Sequence, residues 1–200
     1  MSLNLSSGSN NSTQYEPVSK GPHLARCYQV IDLGHQTVEW QGTAKVVPKV
    51  RITWEICDEQ MSDGRPFSIS KEYTASIGEK ANLRKDLVAW GILGDDLRNF
   101  SLDSILNEPC QLQIAHTQKG DKTYASVNGI VEVLKNTRVP ELVNPIVKFD
   151  IQNFDHDVFD SLTNYVQKKI LMSKELEDHG IPMRKERPEP SIEDDESVPF

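Results

Sequence analysis

Alternation of polar and apolar residues from Lys49 to Ile56, within segment 46–57 (VVPKVRITWEIC), constrains the fold more than any other feature of this sequence. Successive side chains of a β-strand point to opposite faces, so a two-residue period predicts a strand with one buried and one solvated face. The apolar side chains of this period are Val50, Ile52, Trp54 and Ile56. The residues predicted to face solvent are Lys49, Arg51, Thr53 and Glu55.

Four further β-rich segments, bounded by turn signals, predict strands on either side of this one. A long, bent first strand or hairpin is predicted over residues 23–33, reaching residue 40, and the other strands cover residues 67–74, 110–117 and 123–134. Gly129 predicts a bend or bulge in the last of them. The i, i+4, i+7 spacing of Leu83, Leu87 and Trp90 predicts one helix over residues 79–90, with Ser76 and Glu79 spaced as a capping box.

Three strands, a helix and two strands follow one another in the order of an OB-fold, a five-stranded, partly open β-barrel with a helix between strands three and four. We therefore predict a mainly β fold with α additions and an OB-fold domain over residues 20–138. Other small barrels and sandwiches stay open as alternatives. Four aromatic side chains are predicted to pack in the core: Tyr28, Trp54, Phe67 and Trp90.

The two ends of the chain differ from this central domain in composition. Residues 1–19 are rich in Ser and Asn and predict a disordered arm. Residues 139–180 contain a Pro-interrupted segment and then a C-terminal helix, whose apolar side chains pack on the barrel or on a second subunit of a homo-oligomer. These side chains are Phe159, Leu162, Val166 and Ile170. Residues 181–200 hold prolines and a block of acids, which predicts an unfolded acidic tail.

The distribution of charge reconciles an acidic chain with a nucleic-acid ligand. The formal net charge is -8, but residues 20–138 hold about 15 Lys and Arg against about 15 Asp and Glu. The negative excess therefore lies in the C-terminal third, and the central domain is free to carry a basic face.

Binding of single strands requires cations for the phosphates and aromatic rings on which bases stack. The second and third strands supply both, and the turn between strands four and five borders the groove of an OB-fold. The candidate nucleic-acid-binding residues are Trp40, Lys49, Arg51, Arg65, Lys71, Tyr73, Lys119, Lys122 and Tyr124.

The last residues of the tail form a second candidate site. A terminal aromatic ring and its free carboxylate follow an acidic run, and such a peptide suits a basic pocket with an apolar hole on a partner protein. The residues of this predicted docking peptide are Asp194, Asp195, Glu196, Val198, Pro199 and Phe200.

Other classes of protein are disfavoured. Three widely spaced cysteines indicate neither a disulfide framework nor a zinc site, and no signal peptide or membrane span is evident, so we expect a cytoplasmic protein without a cofactor. No catalytic motif is present, and we predict no enzyme activity. A metal-dependent nuclease using Asp155, His156, Asp157 and Asp160 is the enzymatic alternative, although Asp at a helix start is typical of capping.

Two segments resemble known families. The end SIEDDESVPF resembles the acidic tip of bacterial single-stranded DNA-binding proteins, through which that family recruits replication and repair enzymes. GPHLARCYQVIDLG and PFSISKEYTASIGEKANLRKDLVAW are similar to a bacteriophage family of single-stranded DNA-binding OB-folds encoded beside replication and recombination genes. The resemblance implies sequence-tolerant binding and protection of single-stranded DNA in the host cytoplasm, with replication or recombination proteins recruited by the tail. An OB-like protein-interaction module of such a complex is the alternative.

Overall fold

The first strand, β1 (Gly21–Trp40), runs the length of the sheet and bends twice. Its antiparallel pairing with β2 (Thr43–Gln60) shifts register between Cys27 and Gln29 and again between Asp32 and Gly34. Such shifts are β-bulges, and bulges bend a strand. The long, bent first strand expected from the sequence is confirmed in this computed structural model, which describes residues 16–94 and 100–183.

Five antiparallel strands lie in the order β3-β2-β1-β4-β5. The three further strands of this order are β3 (Pro66–Thr74), β4 (Pro109–Lys119) and β5 (Lys122–Val131). A short sixth strand, β6 (Val147–Phe149), pairs in parallel with β1 beyond the point where β4 leaves it. The predicted bulge near Gly129 is confirmed by a register shift between β4 and β5. The fold is a mainly β, six-stranded sheet, and β3 and β5 come within contact distance of each other.

The helices are short. The helix α1 (Asn82–Ala89) follows β3, and three helices follow β6: α2 (His156–Ser161), α3 (Asn164–Leu171) and α4 (Lys174–His179). Two 3₁₀ turns cover Leu102–Ile105 and Ile151–Asn153. The prediction of a single C-terminal helix is wrong, because Thr163 and Ser173 take extended N-cap conformations that divide it into three.

The predicted capping box at the start of α1 is also wrong. The N-cap of α1 is Ala81, and no side chain caps this helix end. Ser76 lies in the loop before it, where its hydroxyl accepts a hydrogen bond from the backbone N–H of Gly78 at 3.3 Å. The helix therefore begins later than the sequence predicted, and residues 76–80 belong to the loop between β3 and α1.

The first hydrophobic core lies on the inner face of the sheet. It confirms the buried face predicted for β2, since all four of its alternating apolar side chains are at most 4% exposed. Trp54 packs against Trp90 of the segment after α1, with ring centroids 6.0 Å apart, and Phe67 is buried beside them. The N-terminal arm contributes as well: Val18, expected to be disordered, is 4% exposed because it packs in this core.

A second core lies on the opposite face of β1. Ile31 and Leu33, the second of which is the extra residue of the second bulge, are buried there against β6 and the three C-terminal helices. The apolar side chains that cover them are Phe149, Ile151, Phe159, Leu162, Val166, Ile170 and Leu176. Residues 139–179 therefore pack on the outer face of the sheet, which is one of the two arrangements expected from the sequence. Within the described ranges, no helix has the length and apolar character needed to span a membrane.

Candidate nucleic-acid interface

A buried carboxylate fastens the C-terminal segment across β2. Glu55, predicted to face solvent, is 1% exposed. Its carboxylate accepts hydrogen bonds from the backbone N–H groups of Val143 and Asn144, at 2.9 and 2.8 Å, and from the Asn144 side-chain amide at 2.6 Å. The same segment is also held at Pro140, whose carbonyl oxygen accepts a hydrogen bond from the Arg26 guanidinium at 2.7 Å. The predicted solvated face of β2 is therefore partly covered by the chain itself.

Glycine at position 34 lets the helices approach β1 closely. A Cβ atom there would lie 2.7 Å from a carboxylate oxygen of Glu175 and 2.8 Å from both Ile151 Cδ1 and Ser173 Cβ. Glu175 accepts hydrogen bonds from the backbone N–H and ring Nδ1 of His35, at 2.9 and 2.6 Å. Burial alone would raise the pKa of the Glu175 carboxyl, but these hydrogen bonds lower it overall. The start of α4 is thus held on the second bulge of β1.

This attachment brings Tyr165 of α3 onto the outer face of β2 and β3. The Arg51 guanidinium lies 5.5 Å from the centroid of the Tyr165 ring, and Lys169 Nζ lies 5.7 Å from it. The Tyr165 hydroxyl donates to the Glu72 carboxylate at 3.0 Å. About half of the tyrosine remains exposed, at 53%. A half-exposed aromatic ring with two cations over it combines aromatic surface with positive charge, the two features by which proteins bind single-stranded nucleic acid.

We call the cluster of Lys49, Arg51, Tyr165 and Lys169 around Glu72 the Tyr165 patch. Lys49 lies two residues before Arg51 on β2, opposite the last residue of β3, and its Nζ donates to the Thr74 hydroxyl at 3.2 Å. The patch combines three cations with one carboxylate.

An open cleft adjoins the patch where β3 leads into the loop before α1. Lys49, Lys71 and Lys80 line it, together with the loop residues Ser76 and Glu79. Lys80 is exposed and has no ion-pair partner among the residues that the structure describes. Cationic side chains therefore extend from the patch around the end of β3.

The side chains of two predicted binding residues of β3 contact Asp86 of α1. Tyr73 is 3% exposed, and its hydroxyl donates to the Asp86 carboxylate of α1 at 2.8 Å. Burial, with the nearby Asp86 charge, raises the pKa of this phenol far above its ordinary value. Lys71 Nζ lies 2.7 Å from the same carboxylate. The prediction that Tyr73 stacks on a base is contradicted because its ring is enclosed in the core.

Four other predicted binding residues lie away from the patch. Arg65 lies in the β2–β3 turn, at the other end of the hairpin from Lys49, and forms a 2.7 Å ion pair with Asp63. Lys119 and Lys122 face each other across the tip of the β4–β5 hairpin, and Tyr124 is exposed further along it. Because β4 pairs with the first residues of β1, this tip lies at the end of the sheet opposite Lys49. The structure therefore brings together Lys49 and Arg51 but leaves these four residues apart from them.

Two sets of predicted residues cannot be assigned to this surface. The backbone of Trp40 ends β1, but its side chain lies outside the described part of the structure. The docking peptide of the tail, from Asp194 to Phe200, also lies outside the described residues.

The acidic cluster considered for a nuclease begins α2. The Asp155 carboxylate accepts hydrogen bonds from the backbone N–H groups of Asp157 and Val158, at 2.9 and 3.1 Å, which is the geometry of an N-cap. Across residues 16–94 and 100–183, no group of three His, Cys, Asp or Glu side chains is arranged to hold a metal ion.

Sequence reasoning missed Tyr165, Lys169, Glu72 and Lys80. One signal was available for two of them, since Tyr165 and Lys169 are four residues apart on a helix and so share a face. Their position over β2 could not be predicted from the sequence, because it depends on the way α3 packs against β1.

In comparisons with known proteins, no family model and no curated protein matches this chain.

Proposed function

We propose that this chain binds single-stranded DNA without sequence preference and that the Tyr165 patch is its principal contact surface. The observation that carries the proposal is the half-exposed Tyr165 ring with Arg51 and Lys169 within 6 Å of its centroid. A base stacked on such a ring contributes about 1–3 kcal/mol, and the adjoining cations neutralise phosphates. No catalytic step is part of this function.

The strand order supports an OB-fold as the scaffold. In that fold β1 lies between β2 and β4, a helix separates β3 from β4, and the outer face formed by β2 and β3 binds oligonucleotides. The order β3-β2-β1-β4-β5 and the position of α1 agree with this arrangement. We propose that the contact between β3 and β5 closes the barrel. The C-terminal helices would then add an aromatic ring to the usual binding face.

The proposed wider role concerns replication, recombination and repair. We propose that the protein protects exposed strands during phage-type replication, recombination or repair in the host cytoplasm. The acidic tail would recruit replication or recombination proteins through Val198, Pro199 and Phe200. The support for this part is the resemblance of the sequence alone.

The direct test measures binding of labelled oligo-dT to full-length protein and to protein lacking residues 193–200, at two salt concentrations. Tail-deleted protein should bind at low salt, with an affinity that falls steeply as salt rises through counterion release. Tyr165→Ala and Arg51→Ala should each weaken binding by about 5-fold to 100-fold. Thermal unfolding of each variant checks that the fold is retained.

The matched controls are Tyr124→Ala and Arg65→Ala, which remove an exposed tyrosine and an arginine away from the patch. Both should leave the affinity within about twofold of wild type, since surface substitutions have small effects. Absence of low-salt binding by tail-deleted protein would refute the function. Equal losses of oligo-dT affinity in the control variants would indicate that the binding surface lies at the hairpin tips instead.

An OB-like protein-interaction module of a replication or recombination complex is the second candidate. Exposed apolar side chains at and beyond the end of α3 favour it: Leu171, Met172 and Ile181 are 41%, 70% and 48% exposed. A protein partner retained after nuclease treatment, combined with no oligo-dT binding, would establish this function in place of DNA binding.

A further inference from the structure

Three hydrogen-bond donors from two layers of the fold converge on a single carboxylate. Glu72 Oε1 accepts from the Tyr165 hydroxyl at 3.0 Å and from Arg51 Nη1 at 3.3 Å. Glu72 Oε2 lies 3.7 Å from Lys169 Nζ. Arg51 and Glu72 are register partners on neighbouring strands, whereas Tyr165 and Lys169 come from α3. A guanidinium, an ammonium and a hydroxyl directed at one point form a site for an oxyanion.

The carboxylate uses these donors only in part. Charge-assisted N–H···O bonds are typically about 2.7–2.9 Å long, and both cation contacts of Glu72 are longer than that. A guanidinium carries five N–H donors, and Glu72 is the single acceptor that Arg51 has among the described residues. The side chain of Glu72 is 26% exposed, so its carboxylate can turn out into water. The donors are therefore available to a competing anion.

We propose that this convergence of donors is a phosphate-binding site, which Glu72 occupies until a phosphodiester of the nucleic acid displaces it. This proposal rests on the proposed function and deepens it, because it names the Glu72 carboxylate as the group that sets the affinity for single-stranded DNA. A phosphate held by Arg51 and Lys169 would lie beside the Tyr165 ring, where the adjoining base stacks. Glu72 acts as an internal competitor, which restricts binding to polyanions that also engage neighbouring cations such as Lys49.

The experiment compares tail-deleted wild type, Glu72→Gln and Glu79→Gln in oligo-dT titrations across a range of salt. Glu79 lines the adjoining cleft, so its substitution makes the same charge change without freeing the converging donors. Glu72→Gln should tighten binding by about threefold to tenfold, and Glu79→Gln by less than about twofold. The salt slope of Glu72→Gln should steepen by about 0.7 for each phosphate gained.

Inorganic pyrophosphate, followed by thermal unfolding, tests the anion site without DNA. It should raise the Tm of Glu72→Gln more than that of wild type or Glu79→Gln, because a ligand stabilises the state that binds it. If oligo-dT binds no variant but pyrophosphate shows this difference, the proposed function is wrong and the anion site stands. If wild type binds oligo-dT while Glu72→Gln binds no better and gains no pyrophosphate effect, the anion site is wrong and the function stands.

Tyr165→Phe keeps the test decisive if Glu72→Gln fails to fold. This change keeps the aromatic ring and removes one of the three donors. Oligo-dT binding should weaken by about twofold to tenfold, the usual contribution of one hydrogen bond. An affinity equal to that of wild type would overturn the phosphate site.

Discussion

The Glu55 carboxylate accepts hydrogen bonds from both the backbone N–H and the side-chain amide of Asn144, 89 residues further along the chain. Since Glu55 lies in β2 and Asn144 in the C-terminal segment, these hydrogen bonds join the sheet to the layer that carries Tyr165. Loss of the carboxylate removes three hydrogen bonds to a charged group, each of which contributes about 1.5–3 kcal/mol.

Glu55→Ala should therefore lower the free energy of unfolding by about 3–5 kcal/mol. Urea denaturation measures the loss, and hydrogen exchange should show faster exchange of the Val143 and Asn144 amides. Glu59→Ala is the control, because the Glu59 carboxylate is more exposed and accepts its hydrogen bond from Ser19 of the N-terminal arm. This variant should lower the free energy of unfolding by about 1 kcal/mol. Equal losses for the two variants would contradict the role of Glu55.

Gly34→Ala tests the close approach of the helices to β1. Position 34 has φ +67°, and an added Cβ would meet three atoms of the C-terminal segment at under 3.0 Å. Backbone strain and overpacking together predict a loss of about 2–4 kcal/mol in urea unfolding. Gly42→Ala controls for the strain alone, since φ is +75° and no atom lies within 4 Å of its Cβ, and it should lose about 1 kcal/mol. A similar loss in both variants would show that the helices do not restrict position 34.

Asp32 should make the folded protein less stable as pH rises, which is the opposite of the usual effect of a carboxyl group. Burial, followed by the charges of Asp150 and Glu175, raises the pKa of its carboxyl above the ordinary value. A carboxyl whose pKa is higher in the folded state destabilises the fold as pH rises through that pKa. Asp32→Asn keeps an oxygen acceptor for the Gly34 N–H, bonded at 2.8 Å, and removes the charge. The variant should exceed wild type in unfolding free energy at neutral pH and match it in acid.

Glu175→Gln is the opposite control. The lowered pKa of Glu175 means that its ionised form stabilises the fold above the unfolded-state pKa, and this contribution is lost as pH falls. This variant should be less stable than wild type at neutral pH and approach it in acid. If the difference in unfolding free energy from wild type changed with pH in the same direction for both variants, the raised pKa of Asp32 and the lowered pKa of Glu175 would be contradicted.

The three cysteines should be poorly reactive in the folded protein. Burial raises the pKa of Cys27 to about 12 and that of Cys57 to about 11, and it raises the pKa of Cys110 strongly. Because the thiolate is the reactive species, iodoacetamide at about pH 8 should modify half-buried Cys57 slowly and the other two more slowly still. Mass spectrometry locates the label, and all three should react in urea. Rapid native labelling of Cys27 would show that the first core opens readily.

The sequence predicted the elements whose signals are local. Alternation in β2 and the turn residues around β3 identified these strands and the buried Trp54, because period and turn chemistry act within a few residues. The same rule could have placed Tyr73 inside, since it shares the two-residue period of Phe67 and Ile69. The second core was not predictable, because Val30 and Ile31 are adjacent and both buried, one in each core, so β1 shows no alternation of apolar and polar residues there.

The Tyr165 patch depends on contacts that no local pattern encodes. Arg51 and Glu72 are neighbours through strand register, which alternation suggests, but Tyr165 reaches them across 93 residues from Glu72. The path of the connecting segment is fixed by the hydrogen bonds of Glu55 and by the space above Gly34. Lone polar contacts of this kind leave no periodic signature in the sequence.

The two-faced burial of β1 has a consequence for synthesis on the ribosome. β1 emerges before the C-terminal helices, and Ile31 and Leu33 are covered by residues that emerge more than a hundred positions later. Until then the nascent sheet presents apolar side chains on its outer face, a surface that favours chaperone capture or aggregation. Folding of the outer layer is therefore tied to completion of the C-terminal helices, so truncated products should be cleared rather than accumulate as half-formed binding proteins.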